Sequence, residues 1–123
     1  MAAIGWGMIS KLEKSSGSAI GYRLSGAVGK EDYAVMVPEM EQLAAQYGSV
    51  QLLCDLSDFT SERPSAWGDD LRFGHEFHKK ISRMAIVGAG HWEKLVADLA
   101  KPFYAQEVKY FPDEDAAWEW LTA

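Results

Sequence analysis

Val50-Gln51-Leu52-Leu53-Cys54-Asp55-Leu56 and, further on, Met84-Ala85-Ile86-Val87 are the two stretches that decide the fold. The first is apolar almost throughout and the second is apolar without any alternation. A strand with one wet face alternates polar and apolar residues; a strand covered on both faces does not, so these two read as central strands of a parallel arrangement. Parallel neighbours need crossover segments, and the flanking sequence supplies them. Before Val50, Tyr33, Met36, Met40, Leu43, Ala44 and Tyr47 recur at spacings of three and four, which makes one helical stripe that Gly48 stops. Pro38 lies inside that stripe and has no N–H to donate, so two helical pieces are expected, a short one before it and a longer one starting near it. Helical spacing also covers about 65–80 and 92–101, the latter with Trp92, Leu95, Val96 and Leu99 turned inward.

At the start of the chain, 8–12 and 19–24 read as strands. Ile20, Tyr22 and Leu24 share one face of the second, opposite Gly21 and Arg23, and the polar link Lys14-Ser15-Ser16-Gly17-Ser18 makes the pair a hairpin. Ser25-Gly26 is expected to break the second strand. The charged, alternating run Glu107-Val108-Lys109-Tyr110-Phe111 suits an edge strand. A last helix over 114–121 follows, with Asp113 placed to cap it. The order ββαβαβαβα implies an α/β domain with one mixed β-sheet and right-handed crossovers, spanning 1–123 as a single unit.

The chain has 123 residues, 48% of them hydrophobic and 24% charged, enough for one self-sufficient core. Disordered, collagen-like and disulfide-scaffold classes are excluded on that composition. Twelve Lys and Arg against eighteen Asp and Glu leave a net charge of −6, so no nucleic acid is expected as a partner held by bulk charge. The single cysteine, Cys54, sits in an apolar run and points to a reducing compartment. Met1 to Ile9 carries no basic residue, which does not fit a secretory signal, and no apolar run approaches the ~20 residues of a membrane span. A cytoplasmic location is expected.

Four constellations bear on chemistry. His75 and His78, with Asp69 and Asp70 before them, are spaced to face one ion, but the spacing is not that of a zinc motif and a solvated helix face is the plainer reading; no metal is expected. Gly88-Ala89-Gly90 before Trp92 resembles a phosphate turn, yet Glu93 stands where the dinucleotide pattern needs its third glycine, and a tight strand-to-helix turn explains it. His91 beside it is a lone loop histidine. The stretch Asp55 to Ser61 leaves the carboxyl end of a central strand, where open α/β sheets place ligands. Its hydroxyls, Ser57, Thr60 and Ser61, together with Ser65, are candidate phosphorylation or switch residues; turn and cap formation is the plainer role. No Gly-x-Ser-x-Gly elbow occurs, so no catalytic residue is assigned and an enzyme is not expected. The fourth constellation is aromatic. Phe73 and Phe77 share one face of the 65–80 segment while Trp67 and Leu71 form a pair on another. One helix on one sheet cannot readily bury both, so this segment either receives a cover or presents apolar surface to something else.

The residues together resemble the SpoIIAA-like branch of the STAS superfamily (sulfate transporters and anti-sigma-factor antagonists). The resemblance runs through Gly26, Glu31-Asp32-Tyr33, Asp55-Leu56, Phe59, Trp67-Gly68-Asp69-Asp70-Leu71-Arg72-Phe73-Gly74, Arg83 to Gly88, Trp92, Lys101-Pro102-Phe103, Glu107 to Phe111 and Ala117 to Leu121. It covers about 8–121, and its strength lies in the order and spacing of the pieces. It implies a mixed sheet flanked by helices, similar to CRAL-TRIO lipid carriers. No cofactor is expected. The antagonists phosphorylate a serine in an Asp-Ser-Ser-type motif; the comparable stretch here, Asp58 to Ser65, lacks that motif. Two functions from different classes follow. The leading one is a non-enzymatic domain whose partner is a small apolar or amphipathic, lipid-like ligand, or a membrane surface, met at Phe59, Trp67, Leu71, Phe73 and Phe77. The alternative is a signalling module whose partner is a protein, or a second copy of the chain in a homodimer, switched at Ser57, Ser61 or Ser65.

Overall fold

A computed structural model describes residues 8–28, 30–62, 79–88 and 105–123. Five strands, β1 (Met8–Lys11), β2 (Ala19–Val28), β3 (Val50–Glu62), β4 (Ile81–Val87) and β5 (Val108–Phe111), form one mixed sheet in the order β1-β2-β3-β4-β5. The hairpin pair β1–β2 is antiparallel and every later pairing is parallel. Helix α1 (Lys30–Tyr47) crosses from β2 to β3, and α2 (Glu114–Leu121) follows β5. The helices expected over 65–80 and 92–101 fall outside the described residues, except for an exposed turn at Lys79 and Lys80.

The two unalternating stretches owe their composition to cover on both faces. Leu52 and Leu56 of β3, with Met84 and Ile86 of β4, pack beneath Met36, Met40 and Ala44 of α1. Leu53 of β3, with Ala85 and Val87 of β4, packs beneath Ala117, Trp118 and Leu121 of α2. Each face has its own helix, and β3 and β4 lie inside the sheet with β5 at its edge, as the patterns imply. Asp113 caps α2, its side chain accepting from the Ala116 N–H at 2.9 Å. Gly48 follows α1 with φ of 81°, the left-handed conformation that suits glycine.

Two local expectations are corrected. Helix α1 is continuous across Pro38. The proline is exposed, as is Ala34, whose carbonyl loses the bond that position 38 cannot donate. Exposure leaves that carbonyl open to solvent, and the buried stripe of Met36, Met40 and Ala44 holds the helix through the gap. The second correction concerns Ser25-Gly26, which does not end β2. The strand runs on to Val28, and Gly26, with φ of 64°, lies between two register shifts in the β2–β3 ladder. The extra residues sit in β3, so both strands outrun their expected ends through bulges.

Candidate functional site

The parallel strands follow one another without reversal, so strand order creates no crevice at a switch point. Length creates a feature instead. The β3–β4 ladder stops at Asp55↔Val87, whereas β3 continues to Glu62, paired among the described residues only with Ser25–Val28 of β2. A two-stranded ribbon therefore projects past the carboxyl ends of β4 and β5. Phe59 lies on it opposite Gly26, and Ser61 opposite Ala27.

At the root of the ribbon stands Asp55, the one charged side chain buried among the described residues, 3% exposed. Its Oδ1 accepts the Ser57 backbone N–H at 2.9 Å and also the Ser57 hydroxyl. Its Oδ2 lies 3.4 Å from Nε of Arg23, the neighbour on β2. The same guanidinium reaches the first residue of α2, with Nη2 donating to Glu114 Oε2 at 2.9 Å. Arg23 therefore spans the Asp55 and Glu114 carboxyls. Burial pushes Asp55 up, but the neighbouring Glu114, Ser57 and Arg23 outweigh it and hold the carboxyl below its ordinary value. Glu114 moves the other way: the Asp55 carboxyl beside it and then its burial raise it, opposed only in part by Arg23. The two carboxyls are thus shifted in opposite senses, Asp55 downward because it collects the donors.

Beside this cluster, β1, β2 and α2 bound an open groove of about 650 Å³ whose lining includes Ser10, Leu12, Arg23, Ser25, Glu114 and Asp115. Lys14 bridges its rim to Asp115 at 2.8 Å. On the opposite face of the sheet, Glu39 of α1 accepts from the Tyr22 hydroxyl at 2.5 Å and from Lys11 at 2.6 Å. Burial raises the Tyr22 hydroxyl and the Glu39 carboxylate raises it further, so this tyrosine stays a neutral donor that ties α1 to the sheet.

Of the residues singled out in the sequence, Ser57 is exposed and carries the bond to Asp55. Trp67, Leu71, Phe73, Phe77 and Ser65 lie outside the described residues, as do His75, His78, Asp69, Asp70 and His91. Gly88 is described, and its N–H donates to the Phe111 carbonyl at 3.2 Å while its carbonyl accepts from the Tyr110 hydroxyl. A group engaged in the sheet ladder is not a free phosphate donor. Cys54 is half-buried against the α1-side core. Sequence reasoning missed Arg23 and Glu114. The signal for Arg23 was a charged residue on the strand face opposite Ile20, Tyr22 and Leu24; Glu114 entered only as the first residue of the last helix.

A sequence model of the SpoIIAA-like family matches residues 19–122. This chain belongs to that family. A crystal structure with a SpoIIAA-like fold, an uncharacterised DUF3478-family protein from Shewanella loihica PV-4, is similar to this SpoIIAA-like chain over 98% of both, with a TM-score of 0.77 at 24% identity. No curated protein matches it. The mixed sheet flanked by helices is the fold that the resemblance implied, and the chain is a STAS-type module. No helix among the described residues is long and apolar enough to cross a membrane.

Proposed function

We propose that this SpoIIAA-like chain is a non-enzymatic, cytoplasmic binding domain that takes a small apolar or amphipathic ligand, or the surface of a membrane, at the carboxyl end of its sheet. The observation that carries the reading is the β2–β3 ribbon that outruns β4. Two strands alone do not make a stable unit, and a ribbon of this kind needs a cover. The sequence that follows it directly holds Trp67, Leu71, Phe73 and Phe77, more apolar surface than one packed layer uses. Phe59, on the ribbon itself, joins them as the fifth contact. The polar cluster at the ribbon's root supports a binding role over a catalytic one. Ser57 donates to a carboxylate whose depressed value makes it a poor base, and Arg23 and Glu114 satisfy each other.

Native mass spectrometry of the purified protein, followed by solvent extraction, tests this. A co-purifying lipid-like mass is expected, and it should be lost from a Trp67→Ala, Phe77→Ala double variant that keeps the wild-type circular dichroism spectrum. Protein that is recovered empty and ignores both fatty acids and anionic phospholipid vesicles overturns the proposal.

The exposed hydroxyl of Ser57, bonded to a buried carboxylate, favours a second reading, a protein-interaction module switched at that residue. A phosphate there repels Asp55 and competes for Arg23. Ser57→Asp is then expected to abolish capture of a protein partner that the wild-type chain retains in pull-downs; unchanged capture in Ser57→Asp, Ser61→Asp and Ser65→Asp alike discards the switch.

A further inference from the structure

Both helices end over the same end of the sheet, the one opposite the projecting ribbon. Tyr47 closes α1 just ahead of β3, and Thr122 follows α2 on the other face. Between them an open groove of about 640 Å³ crosses the amino ends of β2, β3 and β4, and its lining includes Ser18, Gln51, Ser82 and Arg83. Small-molecule sites usually measure roughly 300–1,000 Å³. We propose that this groove binds a neutral ring polyol, a monosaccharide or cyclitol, that stacks on Tyr47 and hydrogen-bonds to the polar floor.

The floor is organised by the protein's own bonds. The Ser18 hydroxyl donates to Gln51 Oε1 at 2.6 Å, Gln51 Nε2 donates to Ser82 Oγ at 2.9 Å, and the Ser82 hydroxyl turns back to the Val50 carbonyl at 3.5 Å. Each serine proton is thereby committed, which leaves oxygen lone pairs and the second amide proton of Gln51 for an incoming group. Arg83 is held from two sides, with Nη1 donating to the Trp120 carbonyl at 2.7 Å and its guanidinium carbon 5.2 Å from the Trp120 ring centroid. Its Nη2 makes no hydrogen bond among the described residues and adds a positioned donor. Hydroxyl groups donate and accept at one atom and match such a mixed array. A carboxylate only accepts and an ammonium only donates, so each matches half of it.

Charge points the same way. No acidic side chain lines the groove, although the chain carries eighteen. The carboxyl ends of α1 and α2 each carry about half a negative charge, and neither helix has a basic residue in its last turn. One guanidinium balances the two, so neither an anion nor a cation is favoured. Glu107, 3.6 Å from Arg83 Nε, is 56% exposed and screened by solvent. A hydrocarbon chain is disfavoured as well, since it would desolvate Ser18, Gln51 and Arg83 without replacing their bonds. The groove does offer one apolar surface: Tyr47 is the exposed large hydrophobic residue of the described chain. An aromatic face beside a polar floor suits a ring with carbon–hydrogen faces and a hydroxyl edge. This site lies at the other end of the sheet from the one proposed for the apolar ligand, and neither reading depends on the other.

An amide NMR titration of the full chain tests the groove, with myo-inositol and methyl α-glucopyranoside as probes. The side-chain amide of Gln51 and the backbone amides of Gly17 and Thr122, all in the lining, are expected to shift saturably with at least one of them, with a Kd in the millimolar range. Tyr47→Ala, at an exposed position, should weaken that Kd roughly threefold to tenfold. Gln51→Met, of similar length, should abolish saturation while the spectrum stays dispersed. Cyclohexanol, a ring with one hydroxyl, and inorganic phosphate, a charge without a ring, should not saturate the same signals. Failure of both polyols to saturate them overturns the proposal. So does cyclohexanol or phosphate binding as tightly as the polyol, or a Kd that Tyr47→Ala leaves unchanged.

Discussion

Gly21→Ala is expected to destabilise the protein by about 1–3 kcal/mol, and Gly21→Val by more. The position is inside β2 on the α2 face of the sheet. A Cβ built there would lie 2.7 Å from Cζ2 and 2.9 Å from Cη2 of Trp118, and 3.0 Å from Cδ1 of Leu12. The Leu12 methyl ends a flexible, half-buried side chain and can turn aside, but the indole cannot. The indole is 6% exposed and packs in the apolar layer that joins α2 to β3 and β4. Displacing it lifts the helix. Two effects favour alanine, its lower entropy in the unfolded chain and its better fit to a strand. Together they amount to roughly 0.4–1 kcal/mol, less than the overpacking. Urea denaturation measures the loss as a lower midpoint at unchanged slope. Combining Gly21→Ala with Trp118→Leu should recover part of it, with a coupling of about 0.5–3 kcal/mol between the two sites. An unchanged midpoint in Gly21→Ala, or strictly additive losses, would mean that the indole and the glycine are not in contact.

The same glycine shows where sequence reading reaches and where it stops. Its place on the strand, opposite the stripe of Ile20, Tyr22 and Leu24, followed from alternation alone. That a tryptophan near the other end of the chain fills the space above it did not, since the contact depends on which strands become neighbours. The 50–56 and 84–87 stretches were legible because two-sided burial removes polar alternation, and both prove to be interior strands. Asp113 and Gly48 were legible because capping is local chemistry. Pro38 misled because the local rule weighs one lost hydrogen bond, whereas the buried methionines of α1 decide the outcome. The ends of β2 and β3 were hidden because bulges leave the composition of a strand intact. As for the site, the Asp55 to Ser61 stretch was picked out, and Ser57 with it, but as a switch segment rather than the root of a ribbon. The ion cluster was not visible. Arg23, Asp55 and Glu114 come from three elements whose registers the sheet sets, and no spacing in the chain announces them.

Removing the guanidinium shows how much that cluster contributes. Arg23→Ala is expected to cost about 2 kcal/mol at neutral pH. Stranding a fully buried carboxylate costs roughly 3–5 kcal/mol. Here the Arg23 side chain is 45% exposed, so solvent screens it, and Ser57 still donates twice to Asp55; both reduce the loss. The dependence on pH separates this from lost packing. Asp55 is held below its unfolded value, so its stabilising contribution is present above about pH 3.9 and disappears as the pH falls through the folded value. Arg23 is one cause of that depression, and without it wild type and variant should converge in stability on acidification below about pH 4. Glu114 behaves in the opposite sense. Its raised folded value gives stability that is complete below about 4.3 and lost as the pH rises through the folded value. Arg23→Ala also removes the cation that holds Glu114 down, so the variant should lose this second contribution at a higher pH than the wild type. Arg23→Lys keeps the charge but not the fork that reaches both carboxyls, and should fall between the two. Urea midpoints at pH 7 and at a pH well below about 3.9 for the three proteins decide the matter. A cost that is the same at both values would reduce Arg23 to a packing residue and leave Asp55 stabilised by Ser57 alone.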